Sequence, residues 1–325
     1  MSSPSIILSG AGAVSSAGWG TEALFKAIQE HRQLPTDISQ REGSTSSVQI
    51  RRVPKPKAPL AFLRNPRLRR CSPISRYAVA AALEALGEER QAQVQDGGYR
   101  LGVLFVFMNG CVNYSNRFYS EVLNDPSLAS PILFPETVFN APASHLAAML
   151  ESRSPAYTLI GDSAQFLGGM DLGIEWLLED QVDGVLVVGS EELDWLSTEA
   201  ACLFNRKMIV SEGAGAVLLE SSTNSSDSPK VCGITPAFSY GNDRNRTQAT
   251  AQLLEALPNA EGLRLQHGLN DDGLDLSNVL GNALGAGLAL QCAYARTALT
   301  NGDVAQAQVF HVGTNQQAIG AWFRA

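Results

Sequence analysis

Ser163 stands where an apolar strand hands over to a helix, in the passage Ser154-Pro-Ala-Tyr-Thr-Leu-Ile-Gly-Asp-Ser163-Ala-Gln. The turn aims its hydroxyl at a helix N-terminus, where unpaired backbone N–H groups can hold an oxyanion. A serine hydroxyl has a far higher pKa than a thiol and is a weak nucleophile unless a base adjoins it. Asp162 is its neighbour in sequence, but neighbours on a turn usually point apart. The surrounding residues do not spell the Gly-x-Ser-x-Gly elbow of the hydrolases. A second glycine-rich turn, Ser277-Asn-Val-Leu-Gly-Asn282-Ala-Leu-Gly-Ala-Gly287, leads into another helix. Asn282 there can donate a hydrogen bond but cannot shuttle a proton at neutral pH. The histidines are His31, His145, His267 and His311, none at i, i+4 spacing to another, so neither a metal site nor a cofactor is expected.

The elements around these turns alternate. Ile6 to Gly10 reads as a buried strand entering a turn, and Thr21 as the cap of a helix reaching about His31. Residues 34–70 read as a surface excursion rich in Pro, Ser, Arg and Lys. Tyr77 to Leu86 is an alanine-rich helix closed by Gly87. Leu101–Phe107, Tyr157–Ile160 and Val182–Val188 read as strands, and Ala164–Leu178 as a helix. A glycine turn at Val210 enters a further strand. After the Ser/Asn/Asp-rich link from Ser221 to Ser228 the theme repeats more briefly, with strands from Lys230, Leu263, Val309 and Ala318 and helices over 247–257 and 283–299. This alternation implies a mainly parallel sheet with helices on both faces, in two α/β halves, residues 1–222 and a shortened 223–325.

The bulk numbers exclude several classes. The chain has 325 residues, 45% hydrophobic and 17% charged, with a net charge of −8. An acidic chain is a poor partner for nucleic acid or an anionic membrane. The exception is a local basic stretch, Arg64-Asn-Pro-Arg67-Leu-Arg69-Arg70 with Arg51 and Arg52 upstream, which is either a solvated loop or a docking site for an acidic partner. The five cysteines are widely spaced and form no CxxC pair, which suits reduced thiols in a cytoplasmic protein. The N-terminal residues lack the charged and apolar regions of a signal peptide, and no run of about 18 apolar residues exists.

Four passages resemble the β-ketoacyl synthases of the thiolase superfamily. They are Ile7-Leu-Ser-Gly10-Ala-Gly12-Ala-Val14-Ser15-Ser16-Ala-Gly18; Ser154 through Ser163 to Val185-Leu-Val-Val-Gly189-Ser-Glu191; Ser211-Glu-Gly213-Ala-Gly215-Ala-Val-Leu-Leu-Glu220; and Gly281–Gly287 with the tail His311-Val-Gly313-Thr314-Asn315. The resemblance implies a thiolase-like fold of two similar α/β halves, layered α-β-α-β-α. It also puts Ser163 at the family's cysteine position and Asn282 at a histidine position. Ser277 and Asn278 fill the Lys-Ser slots. His267-Gly268 is similar to the family's His-Gly-Thr, although only nine residues separate His267 from Ser277; the alternative is a plain loop histidine. The chain is shorter than a typical member, chiefly between Glu220 and Ser277.

A condensing enzyme needs a thiolate and two imidazoles, so these departures imply a non-condensing partner similar to a chain-length factor. Such a subunit forms a heterodimer with an active β-ketoacyl synthase, works with an acyl carrier protein and shapes the acyl tunnel in type II polyketide, polyene or fatty-acid-like synthesis. By the resemblance Met108, Tyr114, Phe118, Phe134 and Phe139 match tunnel-lining positions; taken singly, each aromatic can equally be core. Two alternatives stay open. In one, Ser163 and His311, which the family places near each other, act as a serine acyltransferase or hydrolase on acyl thioesters. In the other, the chain is a regulatory pseudoenzyme that binds no acyl group.

Overall fold

A computed structural model describes residues 4–45, 47–222, 227–259, 261–269, 272–313 and 317–325. Nine strands form the path of the main sheet: β1 (Ser5–Ser15), β2 (Leu101–Phe107), β3 (Ala156–Ile160), β4 (Gly184–Glu191), β5 (Gly213–Ser222), β6 (Lys230–Ile234), β7 (Leu263–His267), β8 (Gln306–Val312) and β9 (Gln317–Arg324). Their order across the sheet is β7-β8-β9-β6-β1-β5-β4-β2-β3, with short strands Gly18–Trp19 and Phe238–Ser239 added at β1 and β9. The main helices are α1 (Thr21–Gln29), α2 (Pro73–Gln95), α3 (Val112–Asn124), α4 (Ala141–Met149), α5 (Gln165–Leu178), α6 (Trp195–Phe204), α7 (Asp243–Ala256) and α8 (Gly287–Thr300).

The layers follow from which helix faces are apolar. Helices α2 and α4 cover the outer face of the β1-β5-β4-β2-β3 half, and α7 covers the outer face of β9 in the other half. Helices α5 and α8 lie between the two halves and touch both, so the order is α-β-α-β-α. Their core runs through the boundary, from Leu8, Val187 and Phe166 to Val309 and Phe323. Among the described residues the half-sheets are joined along the path by the pair Ile7 and Lys230 alone. The expected division at 222/223 abuts residues 223–226, which lie outside the described residues, as do Thr314 and Asn315 of the tail.

Several local expectations change. The sheet is mixed: β4-β2-β3 and β7-β8 run parallel, while every pairing from β8 through β9, β6, β1 and β5 to β4 is antiparallel. Strand β1 does not end at Gly10. It runs on to Ser15 because its glycines lie under α2, where a Cβ on Gly10 or Gly12 would overlap the carbonyl oxygen of Ala85 or Ala81. Gly87 closes the first helical segment of α2 as expected, with φ 65 and ψ 170, and a second segment follows it to Gln95. Thr21 is not the cap of α1. Gly20 takes that place, and Glu84 of α2 accepts from the Thr21 N–H and hydroxyl, both at 2.7 Å. The 34–70 excursion is not wholly superficial: Val48–Arg51 joins Asp37–Ser39 and Val210–Ser211 in a small sheet that buries Ile50. Finally, β3 is an edge strand, with Tyr157 53% and Ile160 51% exposed.

Candidate functional site

Both glycine-rich turns deliver their residues to one place. Ser163 precedes α5 and is 2% exposed. Its Oγ accepts the Leu288 N–H at 2.5 Å. Leu288 lies in the first turn of α8, so the serine fills an N–H that a helix start leaves unpaired. Gly287 permits the approach, since a Cβ there would stand 3.2 Å from the same Oγ. Asp162, expected to point away, instead ties down the turn by accepting the Ala164 N–H at 3.0 Å, and it faces the same cavity.

His267 ends β7 directly opposite His311 on β8, and the rings stack with centroids 5.2 Å apart. It is therefore not a plain loop histidine. A row of polar groups fixes its tautomer. Asn282 Oδ1 accepts the Leu284 N–H at 2.9 Å, which leaves its Nδ2 as donor to His267 Nε2 at 3.1 Å. The remaining ring proton lies on Nδ1, facing the Asp275 carboxylate at 3.3 Å. Burial pushes Asp275 up, but His267 and the Ser277 backbone and side chain together hold it below the usual carboxylate range. His311 is held well below an ordinary histidine, first by burial and then by neighbouring His267, so it is neutral at pH 7. Burial likewise raises Asp162, whose Oδ2 is buried without a hydrogen-bond partner among the described residues.

Ser163, His267, Asn282 and His311 thus line one cavity of about 290 Å³, closed by Met108, Phe204, Met208 and Leu284. The walls are mainly apolar, which suits the carbon chain of a small ligand. Among the described residues no hydrogen bond joins Ser163 to either histidine of the cavity. His267 Nε2, the nitrogen that would polarise a carbonyl, is occupied by the Asn282 amide. No group of three or more His, Cys, Asp and Glu side chains is placed to hold a metal among the described residues.

Sequence reasoning missed Asp275 and α6. Asp275 had a signal, the Asp-x-Ser277 spacing of a side chain that accepts the N–H two residues on, here at 2.8 Å. Helix α6 contributes Ser197, Ala200, Ala201 and Phe204 to the cavity; its Ser197 and Cys202 sit in no motif and gave no signal.

Of the five proposed tunnel residues, only Met108 lines the cavity. The others lie outside it, on α3 and on residues 134–139. Phe118 of α3 packs on Phe134 at 5.5 Å, and Phe139 on Phe107 at 5.7 Å. Phe134 and Phe139 remain 55% and 54% exposed. Tyr114 and Phe118 are partly buried, so none of the four aromatics is a fully buried core residue. Phe134 and Phe139, with Tyr119, Leu123, Ile132, Tyr157 and Ile160, belong to an apolar exposed set.

No protein-family model matches the chain, and no curated protein matches it. Solved structures do match over its full length. The ishigamide ketosynthase/chain length factor is 16% identical, with a TM-score of 0.80 over 98% of this chain and 99% of that one. A type II acyl-carrier protein in complex with its hexaketide-bound ketosynthase, AntDE:AntF, gives 15% identity and a TM-score of 0.78 over 100% of both chains. The ketosynthase ApeO in complex with its chain length factor ApeC, from Xenorhabdus doucetiae, gives 13% and 0.78 over 99% of this chain and 98% of that one. The chain therefore has the thiolase-like fold of the ketosynthases.

Proposed function

We propose that this chain is a non-condensing, ketosynthase-like subunit of the chain-length-factor kind. It pairs with an active β-ketoacyl synthase, and the pair works on chains carried by an acyl carrier protein in polyketide, polyene or fatty-acid-like synthesis. One observation carries the reading: the nucleophile position is occupied by a serine whose hydroxyl accepts the Leu288 N–H and, among the described residues, has no hydrogen bond to a histidine. The imidazole that would assist is tied to Asn282. A site so arranged keeps its frame but lacks an activated nucleophile.

The exposed flank supports the pairing. β3 presents an unpaired strand edge, and exposed Phe139 packs on Phe107, the β2 residue paired with Ile160 of β3. A long apolar edge invites strand addition. We place the synthase there, with its sheet continued across β3, and Tyr114, Phe118, Phe134 and Phe139 bounding the acyl tunnel from the far side of the interface. The halves 1–222 and 223–325 are our division of the chain, and the cytoplasm our placing of it; among the described residues no helix is long and apolar enough to cross a membrane.

Co-expression with the co-encoded synthase tests this. Light scattering should give a heterodimer, and Tyr157→Lys with Ile160→Lys should abolish it while leaving the chain folded. Phe118→Ala in the complex should change product length. A chain that stays monomeric beside the synthase sinks the pairing; unchanged products sink the tunnel role.

A further inference from the structure

Two helices beside the site are thinly held. Of the 13 residues of α3 only Val112 is buried, and of the 10 of α6 only Ser197 and Thr198. By contrast α5 buries seven of its 14 and α8 ten of its 14. Yet α3 carries Tyr114 and Phe118, which the proposed pairing turns towards the synthase, and α6 walls the site cavity with Ser197, Ala200, Ala201 and Phe204. Helices with so little burial open readily unless something else holds them.

A short acidic segment between β4 and α6 holds both. Glu191, at the end of β4, accepts from the Met108 and Asn109 N–H groups. Glu192 accepts the Asn113 N–H at 2.9 Å, where α3 begins. Asp194 caps α6 by accepting the Leu196 N–H at 3.0 Å. The same carboxylate takes the side-chain amide of Asn116 from α3, whose Nδ2 lies 3.1 Å from both oxygens. A carboxylate can only accept, so the amide nitrogen is the donor and the bond is charge-assisted. Asp194 is thus the cap of one helix and the anchor of the other. Other ties of α6 are slighter. Arg41 stands over the Trp195 ring at 5.0 Å, and Thr198 bonds to Ser39 at 3.2 Å. Ala201 and Cys202 pack, partly buried, on the small cluster of Ile50, Leu193, Val210 and Leu284.

A synthase seated on α3 fixes that helix; α3 then holds Asp194 through Asn116, and Asp194 holds the first turn of α6. We infer that Asn116 and Asp194 are a positioning pair that couples the pairing face to the site cavity, so that pairing with the synthase orders α6 and sets the cavity wall. For the partner's identity this rests on the functional reading above. Neither residue lines the cavity. The coupling runs instead through contiguous hydrogen bonds and the two helices they join.

Amide hydrogen exchange over residues 195–204, in the isolated chain and in its complex with the synthase, tests this. Asp194→Ser keeps a capping residue but is too short to reach Asn116. Asn116→Asp sets two carboxylates against each other. Each single change should speed exchange in α6 by about tenfold or more, the scale of one lost hydrogen bond to a charged group, with β2 and α5 unaltered. The double change, Asn116→Asp with Asp194→Asn, exchanges donor and acceptor and should return α6 to within about threefold of wild type. Loss of fold would not be rescued in this way. Pairing should slow α6 exchange by about fivefold or more in wild type and by less than about twofold in Asp194→Ser. Single variants whose α6 exchanges within about twofold of wild type overturn the inference. So does a double change no better than Asn116→Asp alone, or a slowing on pairing that survives Asp194→Ser. A chain that never pairs overturns the coupling together with the functional reading, while exchange in the isolated chain still decides the Asn116–Asp194 bridge.

Discussion

Ser163→Ala separates a structural serine from a chemical one by scale. The hydroxyl accepts the Leu288 N–H at 2.5 Å in a position 2% exposed to solvent. Alanine removes the acceptor and leaves a buried N–H in the first turn of α8. Such an unsatisfied group costs about 1–3 kcal/mol, and the methyl that remains keeps most of the packing. We therefore expect a lower guanidinium midpoint with an unchanged m-value, corresponding to a loss of about that size. Product formation by the heterodimer should fall by less than about threefold, because the lost group touches no reacting atom; removal of a true nucleophile costs on the order of 10⁴ or more. The assays are equilibrium denaturation of the isolated chain and turnover of the reconstituted complex. Turnover lost by orders of magnitude, with folding intact, would refute the structural role, as would a stoichiometric acyl adduct on Ser163 in the wild-type protein.

Ser163→Cys should yield an alkylatable thiol without condensing activity, since His267 stays tied to Asn282; decarboxylative condensation by the isolated variant is the disproof. Glu191 is fully buried, accepts from the Met108 and Asn109 N–H groups and is pushed up to about 8, mainly by burial. Its protonated form is favoured in the folded chain, so its stabilising contribution is complete below about 4.5 and lost as pH rises through about 8. Glu191→Gln should remove that decline from the denaturation midpoints between pH 5 and pH 9, and a variant profile parallel to wild type counts against it. Gly12→Ala drives a methyl into the Ala81 carbonyl, so it should destabilise by about 1–3 kcal/mol or more, read as lost soluble expression or a lowered melting temperature.

The sequence by itself determined the order of strands and helices and the two turns that carry Ser163 and Asn282. Those features are local: apolar runs of strand length, small-residue helices and glycines at sharp turns are written in neighbouring residues. Leu101–Phe107 matches residue for residue, and α5 differs from its expected span by one. Strand direction was not legible, because an antiparallel partner such as β5 against β1 pairs residues more than 200 apart, Ile7 with Glu220. Nor was the role of Gly10 and Gly12, which read as a turn until α2 is laid across them. The site divides in the same way. The resemblance implied that Ser163 and Asn282 stand in for a thiol and an imidazole. Only the tertiary structure decided what the replacements do, by bringing Leu288 to Ser163 across 125 positions and Asn282 to His267 across 15. Hydrogen bonds of that span depend on how α5 and α8 pack between two half-sheets, and no local pattern encodes that packing.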